Sequence, residues 1–202
     1  QCRRLEAGAA VADITPHDVQ FLYGYPHVAR YSTGVHDPLI SSALYLCDGV
    51  TKLMFISNDV IFIGKATAQR ARRAIADATG IPESNIVIAA THTHSGPVTV
   101  DYLSNEADPV VPKVDQRYLA SMERRIVDAA VSAWRGAMPA QLGLEKTRAN
   151  GIGTNRRDPD GPSDPEVPVL LVRNADGSRN IACMIVCSMH PTVLHEDSTL
   201  IS

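Results

Sequence analysis

Ile86-Val-Ile-Ala-Ala-Thr-His-Thr-His-Ser-Gly-Pro97 is the stretch that decides the predicted fold. Its five leading apolar residues are small or β-branched and favour a buried strand, which Ser95-Gly96-Pro97 ends. Because side chains two residues apart on a strand point the same way, we expect His92 and His94 to project together from the strand's carboxyl end. Two neutral imidazoles so placed are typical of a zinc site, whereas a lone histidine would favour an ordinary surface loop.

The surrounding segments predict an α/β fold with a mixed sheet flanked by helices. A helix over residues 64–78 stops at Gly80 and leads into the central strand, so the strands before and after it form a parallel crossover. Asp48-Gly49 predicts a hairpin turn. We expect strands at 8–16 (an edge strand, because of Pro16), 39–47, 53–63, 140–147, 167–173 and 181–188, a helix from Asp115 to Trp134, and loops at 21–33, 101–114 and 150–166.

Composition excludes several classes of protein. The 202 residues carry a net charge of −3 with scattered Lys and Arg, which is no nucleic-acid signature. No apolar run approaches the roughly 20 residues of a membrane-spanning helix. One globular domain, or part of a larger one, fits this length. The four cysteines lack metal-finger spacing, and we expect small core residues at Cys2, Cys47, Cys183 and Cys187.

A third candidate histidine follows another predicted buried strand. His190 comes directly before Pro191, and it would meet His92 and His94 if the two strands were neighbours. Catalytic zinc takes three protein ligands and keeps one position for water, so a further oxygen ligand is expected. Asp59, Asp37 and a residue beyond this chain are the alternatives. Asp59 belongs to a polar trio, Ser57-Asn58-Asp59, that predicts either a bulge at a site or a sheet edge.

Arg156 lies in the predicted loop Thr154-Asn-Arg-Arg157. An arginine there could hold a carbonyl, carboxylate or phosphate oxygen, or it could be an ordinary solvated side chain. We interpret His36 and His195 as ordinary histidines, and a position near the site is the alternative.

Several well-known active-site patterns are missing from the sequence. It has no His-Glu-x-x-His of helical zinc proteases and no Gly-x-Ser-x-Gly nucleophile elbow. A metallo-β-lactamase-type site would need an Asp and another His where Ser95-Gly96-Pro97 stands. A barrel amidohydrolase would carry His-x-His on the first strand of a much longer βα repeat.

Residues 90–97, Ala-Thr-His-Thr-His-Ser-Gly-Pro, resemble the histidine motif of the neutral (non-lysosomal) ceramidase family. Other segments resemble that family in the same order. They are Asp13-Ile-Thr-Pro16, Gly34-Val-His-Asp-Pro-Leu39, Thr154-Asn-Arg156, His190-Pro-Thr192 and Thr199-Leu-Ile-Ser202. The resemblance covers nearly the whole chain and implies that residues 1–202 form the N-terminal part of a larger ceramidase-like catalytic domain.

Carried over by position, the resemblance implies one zinc ion held by His92 and His190. It implies that His94 and Arg156 bind the substrate's amide oxygen or assist the chemistry. The family's remaining ligands, a Glu and a Tyr, and its proposed serine nucleophile have no counterpart here, and Ser202 is not that serine. We expect a downstream part of the polypeptide, or a second chain, to complete the site. Three side chains are kept as candidates behind the ligands: His36, Asp37 and Asp59.

The leading hypothesis is therefore a zinc-dependent amide hydrolase that cleaves N-acyl amide bonds of a lipid or small molecule. The family usually has glycines where this chain has residues 98–101, and residues 157–162 are more polar than a lipid-facing entrance needs. These departures favour an alternative of the same fold that acts on a small polar amide, lactam or ester. A non-catalytic domain that keeps the fold is the third alternative. Because the chain begins at Gln1 without Met and resembles an exported family, we expect a secreted, periplasmic or extracellular protein. Oligomeric state stays open.

Overall fold

A seven-stranded mixed sheet with two helices forms the centre of the computed structural model, which describes residues 5–101 and 108–202. The strands are β1 (Glu6–Asp13), β2 (Gly34–Val35), β3 (Ile40–Cys47), β4 (Lys52–Asn58), β5 (Ile86–Ala90), β6 (Met138–Arg148), β7 (Glu166–Asn174), β8 (Asn180–Ile185) and β9 (Leu200–Ile201). The helices are α1 (Lys65–Thr79) and α2 (Gln116–Arg135), and a short 3₁₀ turn spans Glu83–Asn85.

The sheet has the order β5-β4-β3-β1-β6-β7-β8, and β2 and β9 form a separate parallel pair. Strands β4 and β5 are parallel and are connected through α1, whereas the other pairs of the large sheet are antiparallel. This arrangement confirms the predicted α/β class and the predicted parallel crossover. It also brings the carboxyl ends of β4 and β5 to the same edge of the sheet.

The helices begin and end where the sequence supplies capping groups. Gly80 adopts φ 67°, a left-handed conformation that suits glycine, and its N–H donates to the carbonyl of Ala76 at the end of α1. The carboxylate of Asp115 accepts hydrogen bonds from the N–H groups of Arg117 and Tyr118 and so caps the start of α2. Both helices were predicted to within two residues of these bounds.

Two layers cover the two faces of the sheet. On one face, α2 packs its buried side chains, which include Met122 and Ile126, against β1 and β3. On the other face, β7 and β8 fold back over β3, so that Val172 packs with Leu44 and Leu46. Strands β6–β8 can fold back in this way because the ladder between β6 and β1 is short and includes only Glu6 and Ala7 of β1. The sheet therefore bends sharply between β1 and β6.

Some sequence-based expectations are wrong. Strand β1 is internal rather than at an edge, because it pairs with β3 on one side and with β6 on the other. It ends at Asp13, so the edge signal of Pro16 lies outside the ladder. Strand β8 ends at Ile185 instead of Ser188. Of the cysteines, Cys47 is buried as expected, whereas Cys183 and Cys187 are exposed because they lie on the outer face and beyond the end of β8. Cys2 and positions 102–107 of the predicted 101–114 loop lie outside the described residues.

The polar trio at residues 57–59 is neither a bulge nor a sheet edge. Asn58 is the last residue of β4 and is completely buried. Its side chain accepts a hydrogen bond from the hydroxyl of Ser41 on β3 and donates to the carbonyl of Ala89 on β5. Asn58 thus ties three strand ends together next to the His-Thr-His turn. Within the described ranges, no helix is both long and apolar enough to cross a membrane.

We expect Met122→Ala to lower the free energy of unfolding by about 2–5 kcal/mol, because it removes a side chain that is 1% exposed at the α2–sheet contact. Urea unfolding followed by circular dichroism measures this. Val50→Ala in the β3–β4 turn, where the side chain is 60% exposed, is the control and should change stability by less than about 0.5 kcal/mol. Equal effects of the two substitutions would contradict the proposed position of the core.

Candidate metal centre

His92 follows β5 and is held by the segment that follows β4. Its N–H donates to the carbonyl of Val60 (3.0 Å), and its Nδ1 lies 2.8 Å from the carbonyl oxygen of Ile61. A carbonyl oxygen can only accept, so Nδ1 carries the proton and Nε2 keeps a free lone pair. This is the arrangement by which proteins orient a metal-binding histidine. His92 also has φ 67°, a strained conformation for a residue other than glycine that is typical of functional sites.

His94 and His190 complete a group of three imidazoles. The Nε2 atoms of His94 and His190 are 3.0 Å apart. The three ring centroids are separated by 4.7–5.1 Å, and one ligand atom from each residue lies within 4.8 Å of the others. His94 is buried, His92 is half-buried and His190 is exposed. The group therefore faces solvent through His190 and is closed behind His94.

The route by which His190 reaches the group differs from the predicted one. Strands β5 and β8 lie at opposite ends of the sheet order and are not neighbours. Instead, the segment after β8 returns to the His-Thr-His turn, where β9 pairs with β2. The N–H of Ser202 then donates to the carbonyl of Ser95, and the hydroxyl of Thr93 donates to the carbonyl of Ser202. The imidazoles converge through this returning segment rather than through strand pairing.

Burial and neighbouring positive charge favour the neutral form of two of these imidazoles, those of His94 and His190. Burial lowers the pKa of His94 to about 4, and His190, His92, Arg30 and Arg156 reinforce the effect. The pKa of His190 is also lowered, first by burial and then by the charges of His92 and Arg156. Neutral imidazole is the form that binds metal ions. The exposed Arg156 acts on both histidines, so its charge lies near the group.

The three histidine side chains fit a zinc ion. Zinc accepts imidazole nitrogen, and the tautomer of His92 leaves the required lone pair on Nε2. Within 5–101 and 108–202, no carboxylate or cysteine joins the three histidines in a group of that size. A carboxylate ligand, if the site follows the usual zinc pattern, would have to come from elsewhere.

The three side chains expected behind the ligands lie outside the histidine group. Asp59 accepts from the N–H of Ile40, and burial raises the pKa of its carboxyl group. Asp37 accepts from the hydroxyl of Ser202 and lies 2.7 Å from Nδ1 of the adjacent His36 on the surface. Their participation in the site stays a prediction. Asp59 and Asp37 act in this structure as anchors of the strand ends and of the returning segment.

The sequence predicts a loop at 21–33 but does not identify the residues in it that contact the histidines. Tyr25 meets the edge of His94 with ring centroids 5.3 Å apart. A Cβ atom on Gly24 would lie 2.3 Å from Cβ of His94, so only glycine fits there. Arg30 is buried and donates to the carbonyl of His94. The aromatic and glycine content of the loop was the available signal, and it could not identify the individual residues.

Comparison with known proteins gives the same outline. The model of the family described as neutral/alkaline non-lysosomal ceramidase, N-terminal, matches residues 5–202. The crystal structure of neutral ceramidase from Pseudomonas aeruginosa has a TM-score of 0.88 and 22% identity, over 100% of this chain and 34% of that one. A ceramidase complexed with C2 has a TM-score of 0.86 and 23% identity, over 98% and 33%. These structures share the fold, and this chain spans about a third of their length.

The lowered pKa of His94 predicts how stability depends on pH in the metal-free protein. Between pH 6.5 and about 4 the unfolded chain binds a proton at this residue and the folded chain does not, so stability falls as the pH is lowered through this window. In the presence of a chelator, His94→Gln should reduce this loss by about 1–3 kcal/mol. Urea unfolding at several pH values measures the effect.

His17→Gln is the matched control, because His17 is exposed and lies away from the group. It should leave the pH dependence between 6.5 and 4 as it is in the parent protein. If His94→Gln and His17→Gln change the profile equally, the burial of a neutral His94 is contradicted.

Proposed function

The chain belongs to the neutral/alkaline non-lysosomal ceramidase family, and from this premise we propose that it forms the histidine-bearing part of a zinc-dependent hydrolase of N-acyl amide bonds. The observation that carries the proposal is the group of three convergent imidazoles, in which the carbonyl of Ile61 orients His92. A ceramide-like lipid amide is the proposed substrate class. A role in sphingolipid metabolism and a secreted, periplasmic or extracellular location belong to the same proposal.

His92 and His190 are the proposed zinc ligands. His92 is oriented from behind by the Ile61 carbonyl, and His190 approaches from the returning segment on the solvent side. When bound, a zinc ion supplies Lewis acidity at the amide carbonyl and lowers the pKa of water. The remaining ligands and the nucleophile are proposed to come from a downstream part of the polypeptide or from a second chain. This is supported by the fact that the chain spans about a third of the solved relatives.

His94 and Arg156 are proposed to act on the substrate. His94 is buried and neutral, so its imidazole can hold or move a proton at the amide oxygen or at the leaving nitrogen. Arg156 is exposed beside the group, and its guanidinium can hold an oxygen that becomes negative during the reaction. In this division of roles, removing the His94 side chain lowers the rate of hydrolysis more than it lowers the affinity for zinc.

The division of roles predicts different results for the three histidines in the complete gene product. His92→Ala and His190→Ala should each abolish bound zinc and amide hydrolysis, because each removes a ligand. His94→Asn should keep about one zinc per chain and lower kcat by about 10²–10⁴-fold, the usual contribution of a positioned acid or base. Metal analysis and hydrolysis of an N-acylsphingosine measure the two quantities.

His17→Ala is the control and should retain both zinc and activity. Full activity in the His92→Ala/His190→Ala double variant would reject the proposed function. Loss of zinc in His94→Asn would make His94 a third ligand and reject the division of roles.

A second candidate, hydrolysis of a small polar amide, lactam or ester, is favoured by a cleft beside His190. This cleft has a volume of about 470 Å³ and includes Met189, the residue before His190. Much of its lining is polar, with Arg148, Asn150, Asn155, Ser163, Asp164 and Ser188 among the residues. Such a surface suits a polar acyl group better than a long hydrocarbon chain.

The two candidates predict opposite dependences on acyl-chain length. For the lipid amide, kcat/KM should rise from an N-acetyl to a long-chain N-acyl substrate, because each buried methylene contributes about 0.8 kcal/mol. For the small polar amide, the long-chain substrate should be the poorer one. Initial rates on a series of N-acyl amides with one amine measure this, and an unchanged kcat/KM would fit neither candidate.

A further inference from the structure

Arg30 carries a buried guanidinium group that binds backbone carbonyls instead of a carboxylate. Its side chain is among the largest that are fully buried, with 2% exposure. Within the described ranges it forms no ion pair with an acidic side chain. Burying a cation in this way is costly, and proteins keep such a group where its hydrogen bonds fix a specific arrangement.

The hydrogen bonds of Arg30 connect three segments that are far apart in sequence. One terminal nitrogen donates to the carbonyl of His94 (2.6 Å) and approaches that of Leu22 at 3.5 Å. The other donates to the carbonyls of His195 (3.2 Å) and Ser198 (2.9 Å). The guanidinium therefore joins the 21–33 loop, the His-Thr-His turn and the segment that follows His190.

Tyr25 closes the same contact from the side. Its ring lies 4.9 Å from the guanidinium carbon of Arg30 and also packs against the rings of His94 and His195. Gly24 leaves no space between the loop and His94. Arg30 thus holds the backbone of His94, and Tyr25 contacts its ring. On the other side of the guanidinium, the carbonyl of His195 accepts a hydrogen bond, and this residue follows His190 by only five positions.

We propose that Arg30 is a positioning residue that holds the His-Thr-His turn and the His190 segment in one arrangement, so that the three imidazoles are grouped before a metal ion binds. The inference rests on the proposed function for the identity of the metal. A preformed group binds a metal more tightly than one that has to be ordered during binding, since ordering costs conformational entropy. Arg30 accordingly sets the metal affinity without touching the metal or the substrate.

Arg30→Lys is the informative substitution. Lysine keeps the positive charge but replaces a planar fork with a single ammonium group, which cannot reach carbonyls on both sides at once. In the complete gene product we expect zinc affinity, measured by competition with a chelator, to fall by about 10–100-fold, the usual effect of losing a group behind the ligands. The visible spectrum of the Co²⁺-substituted protein should also change, because it reports ligand geometry.

Met122→Ala is the matched control, because it destabilises the core at a residue that does not contact the histidine group. It should keep the zinc affinity and the Co²⁺ spectrum of the parent protein. A parent protein that binds no zinc would reject the proposed function. Zinc binding by the parent, together with unchanged affinity and spectrum in Arg30→Lys, would reject only the role of Arg30. An equal loss of affinity in Met122→Ala would reject it as well, since general destabilisation would then explain the effect.

A measurement on the parent protein covers the case in which Arg30→Lys does not fold. If Arg30 favours the metal-binding arrangement, metal binding must favour the hydrogen bonds of Arg30 to the same extent. Zinc saturation should therefore slow hydrogen exchange of the Arg30 guanidinium protons, observed by NMR with labelled arginine. Exchange that is unchanged by zinc would overturn the proposal.

Discussion

The common end of the parallel strands β4 and β5 is the constraint on which the histidine group depends. Buried N–H and carbonyl groups must find partners where the ladder stops. Here the N–H of Thr91 donates to the carbonyl of Asn58 at the end of β4. The N–H and the Nδ1 of His92 bond to the next carbonyls after this strand, those of Val60 and Ile61. His92 forms these bonds in a left-handed conformation. The strain at that residue is therefore compensated by three hydrogen bonds, and together they aim Nε2 of the imidazole away from the sheet.

The charged side chains that act on the histidine group are arginines. The three imidazoles lie near Arg30 and Arg156, and within the described ranges no carboxylate is close enough to join the histidines. Burial is the first reason why the pKa values of His94 and His190 are lowered, and a proton on either imidazole would also add a further positive charge beside an arginine. The same field stabilises a negative group that enters, whether this is a carboxylate ligand or the oxygen of a substrate that gains charge. Such a field is compatible with the proposed hydrolysis of a neutral amide.

Much of the fold, and the position of His92 and His94 at the end of a strand, follow from local sequence signals. Gly80, Asp115 and the apolar run before His92 act within a few residues, so helix ends and the central strand were predictable. The interior position of β1 was not, because Pro16 resembles an edge signal and its distance from the ladder appears only in the pairing register. Nor could sequence show the contacts of Arg30, since its partners are carbonyl groups, which every residue has. The convergence of His190 was expected for the wrong reason: β8 is far from β5, and the returning segment, not a neighbouring strand, delivers this histidine.

The site therefore depends on contacts between distant parts of the chain. Thr93 bonds to Ser202 across 109 residues, and Arg30 bonds to Ser198 across 168. Contacts of such separation cost loop-closure entropy, which only the complete set of interactions offsets. A metal ion that binds the grouped imidazoles would stabilise all of these contacts at once, since it binds the folded arrangement and not the separated segments. Stability of the returning segment and occupancy of the site are thus two measures of one equilibrium.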